Sequence, residues 1–275
     1  MDRPIIALMY DFDKTLSPKN MQEYGFMEEM GVQAAEFWKE CAKLTKENGM
    51  DAILAYMFMM LKLGEGQMLL RRDSFQKLGK SVRLYPGVST WFGRINRYAE
   101  EQGLRCEHYI ISSGLKEIIE GTSIAGEFKE IFAAEFYYGQ NRLAEWPAMA
   151  VNYTSKTQFL YRINKGELDV AEDGTLNRYV PDDRRRVPFT NMIYFGDGDT
   201  DVPCMKLTRV NGGHSIAVYD RDRTIADRLV EEKRADFAIR ADYSAGRALD
   251  QTVRAIIDEV AALEVLRAKQ RKYNR

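Results

Sequence analysis

A parallel α/β sheet covered by helices, with a small all-helical segment inserted after the first strand, is the architecture this sequence predicts. Three observations predict it. Short apolar runs of strand length recur along the chain and alternate with helical segments, as in sheets built with crossover helices. One stretch, about residues 19–80, breaks that alternation and shows helical spacing alone. Several apolar runs end abruptly in polar or acidic residues, where parallel sheets present their ligand sites.

The 275 residues suffice for one large domain or for a core carrying a smaller insert. Lys and Arg (40) balance Asp and Glu (41), which argues against a nucleic acid or a membrane surface as partner. The basic runs Arg184-Arg185-Arg186 and 269–272 read as solvated surface. Cys41, Cys106 and Cys204 are widely spaced, odd in number and free of any CxxC pairing, so they read as reduced thiols of a cytoplasmic protein. The apolar stretch after Arg3 runs straight into Asp11, unlike a signal peptide. The most apolar window, 53–63, is too short to span a bilayer and contains Lys62.

Taken in order, residues 4–10 (PIIALMY) form the first strand. The segment after it is rich in Met, Glu, Lys and Ala, with Phe37, Cys41 and Leu44 at helical spacing. Gly31, Gly49 and 64–66 divide it into three or four helices. Alternation resumes after RLYPGV (83–88), with a helix over 89–102, a strand over 107–114 and a helix start at 115–121. The aromatic, turn-punctuated stretch 131–150 reads as strands or a hairpin. A helix around 154–165 and a polar loop (172–188) follow. Strands are expected within 191–201, 215–220 and 235–241. From Arg247 onward, Leu249, Val253, Ile256, Val260 and Leu263 make one apolar stripe, read first as docking on the core and second as a homodimer contact. The expected layout is a Rossmann-like core, residues 1–17 and 85–275 with its C-terminal helix at about 247–275, and a helical domain at 18–84.

Four polar clusters stand at or near the ends of apolar runs. They are Asp11 and Asp13 after IIALMY, Ser112-Ser113-Gly114 after HYII, Lys156 at a helix start, and Asp197, Asp199 and Asp201 in IYFGDGDTD. In a parallel sheet such tips converge on one crevice, although these come from distant parts of the chain. Unpaired carboxylates are costly to desolvate. Two of them 4 Å apart repel by about 4 kcal/mol at an effective dielectric near 20. A cation relieves this, and all-oxygen ligation by few protein groups suits Mg²⁺, which keeps waters and shares a substrate phosphate.

The order DFDKT, strand-end serine, lysine, GDGDTD resembles the four motifs of the haloacid dehalogenase-like hydrolase superfamily. The helical stretch between the first two motifs is similar to the cap of its phosphoserine-phosphatase-like branch. The resemblance implies a Mg²⁺-dependent phosphatase acting on a small phosphorylated metabolite. It makes Asp11 the nucleophile, giving an aspartyl-phosphate, and Asp13 the acid and later the base. It has Asp11, the Asp13 carbonyl and Asp197 hold the metal. Ser112 binds a phosphoryl oxygen, with Ser113 the candidate if the alignment slips by one, beside Gly114. Lys156 neutralises the approaching anions, and Asp201 either binds metal through water or orients Lys156.

The chemistry agrees with this. A carboxylic acid two residues after the nucleophile supplies leaving-group protonation, which dehalogenating members lack. Leu16 and Ser17 after Thr15 depart from the DKTGT of the related ion-pumping ATPases. Blander readings exist for each part: Asp11 and Asp13 as a helix cap, the serines as turn residues, and Lys156 as a solvated side chain. An EF-hand reading of DGDTD fails, because Val202 stands where Gly is required and Thr208 where Glu is required. His108 and His214 read as structural or surface residues rather than catalytic ones. Met57, Met59 and Met60 read first as helical-domain packing and second as pocket lining, and Arg71 and Arg72 first as surface and second as ligands for a second anion. Asn20 stands where phosphoserine phosphatases typically carry a glutamate, with Glu23 three residues on, so phosphoserine is not favoured as substrate. A phosphomutase or phosphotransferase, and a non-catalytic phosphate-binding or regulatory protein, are the alternatives.

Overall fold

A computed structural model describes residues 3–273. The chain runs β1 (Ile5–Tyr10), α1 (Phe26–Glu29), α2 (Ala34–Asn48), α3 (Ala52–Gly64), α4 (Arg72–Gly79), α5 (Val88–Glu101) and β2 (Arg105–Leu115). It continues with α6 (Lys116–Glu120), β3 (Glu130–Tyr138), β4 (Ala144–Met149), α7 (Lys156–Lys165), α8 (Asp173–Asn177) and β5 (Met192–Gly196). Then come α9 (Val202–Val210), β6 (His214–Tyr219), α10 (Thr224–Glu231), β7 (Phe237–Arg240) and α11 (Ala248–Tyr273). Residues 274 and 275 of the expected last helix lie outside the described residues.

The strands form one sheet in the order β4-β3-β2-β1-β5-β6-β7, parallel except for β4. The α/β class holds. Every residue of β1 is buried, as a central strand covered on both faces requires. Its alternate residues belong to two cores. Ile6, Leu8 and Tyr10 pack with Phe92 and Ile95 of α5 and with Val253 and Ile256 of α11. Ala7 and Met9 pack with Phe159 and Leu160 of α7, Met205 of α9 and Leu229 of α10. The apolar stripe of α11 is therefore docked on the core. The aromatic stretch resolves into an antiparallel hairpin, β3 and β4, and Pro147 sits in β4, an edge strand where a missing N–H costs no ladder bond.

The segment from 21 to 79 holds α1 to α4 and no strand among the described residues. Its helices have local causes. Asp51 caps α3 by accepting from the amides of Ile53 and Leu54, and Gly49 ends α2 in the left-handed conformation. Met57, Met59 and Met60 are buried in the core continuous with the sheet. No described helix is long and apolar enough to cross a membrane.

Two expectations are corrected. The polar loop at 172–188 contains α8 and a 3-10 turn at Asp182–Arg184. The basic run is not simply solvated. Arg186 pairs with the buried carboxylate of Glu107 at 2.6 Å, and Arg185 with Asp182 at 2.7 Å. Burial pushes Glu107 up, but the hydrogen bonds from Arg186, Lys129 and Tyr109 outweigh it and hold the carboxyl down at about 2.

Candidate active site

Strand β1 lies between β2 and β5, and helices α5 and α7, which come before those two strands in the chain, pack on opposite faces of the sheet, which opens a crevice at the C-terminal end of β1. The ladder extends past the strand, since the Asp11 amide donates to the Phe195 carbonyl at 2.9 Å. The turn after it is tight. Three amides, those of Thr15, Leu16 and Ser17, point at the single carbonyl of Phe12, and Lys14 takes φ 57°. That backbone conformation is unfavourable for a side-chain-bearing residue and is held in place by the converging hydrogen bonds. Its effect is to set Asp11 and Asp13 at one mouth.

Lys156, the first residue of α7, is fully buried. Its Nζ donates to Asp201 Oδ1 at 2.8 Å and forms an ion pair with Asp11 Oδ1 at 3.1 Å. The angle of the second contact leaves Asp11 Oδ1 without a hydrogen-bond donor. Asp201 is saturated by protein groups. Oδ1 also accepts from the Tyr194 hydroxyl at 2.8 Å, and Oδ2 accepts from the Asp197 amide at 3.2 Å. Carboxylate oxygens of Asp11, Asp197 and Asp201 all lie within 4.8 Å of one another.

The electrostatics match this crowding. Burial pushes Asp11 up to about 6, with Lys156 pulling it down and Asp201 raising it. Burial and the charges of Asp201 and Asp11 push Asp197 up to about 8. Burial and the charge of Asp11 hold Asp13 well above the usual carboxylate range, although the Met21 amide donates to its Oδ1 at 2.8 Å. Burial alone would lower Lys156, but the charges of Asp11 and Asp201 raise it above its ordinary value, so it stays a cation. An acceptor-only cluster with an orphaned oxygen and uncompensated charge is a donor set suited to a hard divalent cation.

Ser112 is buried, and its hydroxyl oxygen accepts from the Gly114 amide at 3.1 Å, which leaves its proton free to be donated. Ser113 Oγ has no hydrogen-bond partner. Both serines line the cavity, with Gly114, Asp11, Asp13 and Asp197. A Cβ on Gly114 would come 2.0 Å from Met21 Cε and 3.3 Å from Asp13 Oδ2, so a larger residue there would have to displace the end of the Met21 side chain. Gly196 is constrained in the same way, since its Cβ would fall 2.4 Å from Asp201 Cγ.

All of the sequence-derived site residues therefore gather at one end of the sheet, with Lys156 and Asp201 beneath the cavity floor. The other candidates lie elsewhere. Arg71 and Arg72 line a separate cavity, where Arg72 pairs with Glu120 and Glu135. His108 is buried, its ring bonded to the Tyr10 hydroxyl at 3.0 Å and Asn96 Oδ1 at 2.9 Å. Sequence reasoning missed Tyr194, Gln22 and the aromatic pair Trp38 and Tyr56 over the cavity. Tyr194 carried a usable signal, a hydroxyl two residues before Gly196 on a buried strand. The others carried none beyond helical spacing.

A family model described as haloacid dehalogenase-like hydrolase matches residues 8–206. An uncharacterized protein of Borreliella burgdorferi is 30% identical over 274 residues, covering 89% of this chain and 94% of the relative. Among solved structures, a HAD family hydrolase of Salmonella enterica serovar Typhi superposes with a TM-score of 0.58 at 18% identity, over 94% of this chain and 73% of that one. A phospho-aspartyl intermediate analogue of phosphoserine phosphatase gives 0.56 at 17% identity, over 92% and 99% of the two chains. Identities this low establish a shared fold.

Proposed function

The chain belongs to the haloacid dehalogenase-like hydrolase family, and from that premise we propose that it is a Mg²⁺-dependent phosphomonoesterase acting through an aspartyl-phosphate on Asp11. The observation that carries this reading is the shared position of Lys156, 3.1 Å from Asp11 and 2.8 Å from Asp201. A fully buried ammonium held beside an orphaned carboxylate oxygen is what an anionic nucleophile needs when it approaches an anionic phosphate.

In this reading a carboxylate oxygen of Asp11 forms the new bond to phosphorus as the ester P–O bond breaks. Asp13, kept protonated by burial and by its neighbour's charge, gives its proton to the leaving oxygen. It then takes a proton from the water that attacks phosphorus and releases Asp11. The Ser112 hydroxyl donates to a phosphoryl oxygen, with the Ser113 hydroxyl and the Gly114 backbone alongside. Asp11, Asp197 and the Asp13 carbonyl would hold Mg²⁺, which supplies charge neutralisation of the phosphoryl oxygens when bound. Of the two roles open to Asp201, orienting Lys156 has the better support, because protein donors already occupy both of its oxygens. Residues 18–84 act as a cap, a reading supported by Trp38, Ile53 and Tyr56 lining the cavity opposite the aspartates.

Hydrolysis of a generic aryl phosphate by purified protein tests the reading. Activity is expected to vanish with EDTA and return with Mg²⁺, and Asp197→Asn to raise the Mg²⁺ concentration required. Full turnover by metal-free protein in chelator would refute the metal site.

A further inference from the structure

The cavity above the aspartates holds about 600 Å³, within the range of small-molecule sites. Its two ends differ in charge. The floor carries Asp11, Asp13, Lys14 and Asp197, with Asp199 at its exposed edge paired to Arg228. The roof takes Trp38, Cys41 and Thr45 from one face of α2, Ile53 and Tyr56 from α3, and Gln22 from the 3-10 turn Met21–Glu23 before them. Among the described residues, those of 18–84 that line the cavity include no Asp, Glu, Lys, Arg or His.

Charges on the same elements point elsewhere. Lys39, Glu40, Lys43, Lys46 and Glu47 of α2 are exposed and lie outside the lining. Glu23, the acid nearest the roof in sequence, lies outside the lining and accepts from Asn20 Nδ2 at 2.6 Å and Trp38 Nε1 at 3.1 Å. Lys14 is exposed on the floor side, where its charge acts on Asp197. An ammonium or carboxylate carried by the leaving group would thus enter the roof without a counter-charge, and desolvating it there is unfavourable. The roof does offer unused polar atoms. Gln22 Oε1 and Thr45 Oγ1 have no hydrogen-bond partner in the protein, and neither has Ser113 Oγ at the floor.

We propose that the substrate is the phosphate monoester of an uncharged, partly apolar alcohol, its body resting on Trp38, Ile53 and Tyr56 and its hydroxyls bonding to Gln22 and Thr45. The inference rests on the phosphatase reading and narrows it. It also gives a physical reason to exclude amino-acid esters: among the described residues that line the roof there is neither a carboxylate for the amine nor a cation for the carboxyl, and Asp199 at the floor edge is already paired with Arg228.

The test is a panel of esters given to Mg²⁺-supplemented protein: benzyl phosphate and a hexose phosphate as neutral members, phosphoserine and phosphoethanolamine as amine-bearing ones, and an aryl phosphate as control. The value of kcat/KM for the better neutral ester is expected to exceed both amine esters by roughly 100-fold or more, the scale set by an unpaired buried charge. Ala42 lies on the exposed rim of the cavity, so Ala42→Glu adds a carboxylate there without disturbing the core. That variant is expected to raise phosphoethanolamine turnover up to about 5-fold relative to benzyl phosphate, the scale of one exposed ion pair. Equal or better use of the amine esters by the unaltered protein, with normal turnover of the aryl phosphate, would overturn this inference alone. Failure on every ester, the aryl phosphate included, would overturn the phosphatase reading and this inference with it.

Discussion

The Tyr56 hydroxyl donates to the Ser113 carbonyl at 2.8 Å and so fastens α3 to the tip of β2. The contact joins residues 57 positions apart, both of which line the cavity. It couples the helical roof to the strand end that carries the proposed phosphate-binding serines. Tyr56→Phe keeps the ring and removes the donor. One such bond contributes about 0.5–1.5 kcal/mol, so KM for an aryl phosphate should rise up to ~10-fold while kcat changes little. A variant with lowered melting temperature but unchanged KM would show that the contact serves folding alone.

Asp11 and Asp13 are near neighbours to which the proposed mechanism gives different tasks. Asp11→Asn removes the attacking oxygen, whereas Asp13→Asn removes the proton donor and later base. An aryl leaving group needs little protonation, so Asp13→Asn should form the phospho-enzyme and hydrolyse it ~10²–10⁴-fold more slowly. Rapid-quench labelling should therefore show phosphorylated Asp13→Asn protein and none for Asp11→Asn. Label on Asp11→Asn would mean that the nucleophile is another residue.

Asp201 is proposed to act through Lys156. Asp201→Asn keeps the size and one acceptor oxygen but removes a negative charge from the buried ammonium. Burial lowers the Lys156 pKa, and the charges of Asp11 and Asp201 more than offset that. Losing one of the two should bring the pKa down and move the alkaline limb of the pH–rate profile to lower pH. The accompanying loss in kcat should be on the order of 10²-fold, as for one lost electrostatic partner. An alkaline limb that stays in place would assign Asp201 to the metal instead.

His108 makes a stability prediction. Burial holds its imidazole down at about 3, so it stays neutral in the fold while the unfolded chain protonates it below about 6.5. Its contribution is complete above that pH. It is lost as pH falls from 6.5 toward 3, at about 1.4 kcal/mol per unit, because the unfolded state binds the extra proton. His108→Gln should be less stable than the parent at pH 7.5, with the difference shrinking by pH 5. Urea midpoints at several pH values test this, and the comparison cancels the carboxylates common to both proteins. Parallel curves would contradict a neutral buried His108.

Much of this fold and site was legible in the sequence because its determinants are local. An apolar run that ends in Asp11 and Asp13 states both a buried strand and its functional end. The glycines at 31 and 49 and the Asp51 cap mark helix ends within a few residues of chain. Asp11, Asp13 and Asp197 stood out as candidates because each lies in a short acidic motif at the end of an apolar run, whereas Lys156 stood out only from the order of all four motifs. Distances between them were not readable. Only the tertiary structure put Lys156 between Asp11 and Asp201, across 45 residues in one direction, and added Tyr194 as a second donor to Asp201.

The serines show the limit at the scale of one residue. A register irregularity between Ile111 and Leu115 interrupts the simple alternation of β2, so periodicity alone could not say which hydroxyl is already an acceptor and which is unpartnered. The roof shows it at the scale of the fold. Helical spacing grouped Trp38, Cys41 and Thr45 on one face, but whether that face met core, solvent or cavity depended on where α2 docks. Docking is decided by apolar burial summed over distant segments, and no local pattern encodes it. The sequence by itself thus named the residues of the proposed chemistry at the floor, because each belongs to a local motif. The neutral roof above it, and with it the proposed choice of substrate, was decided by packing.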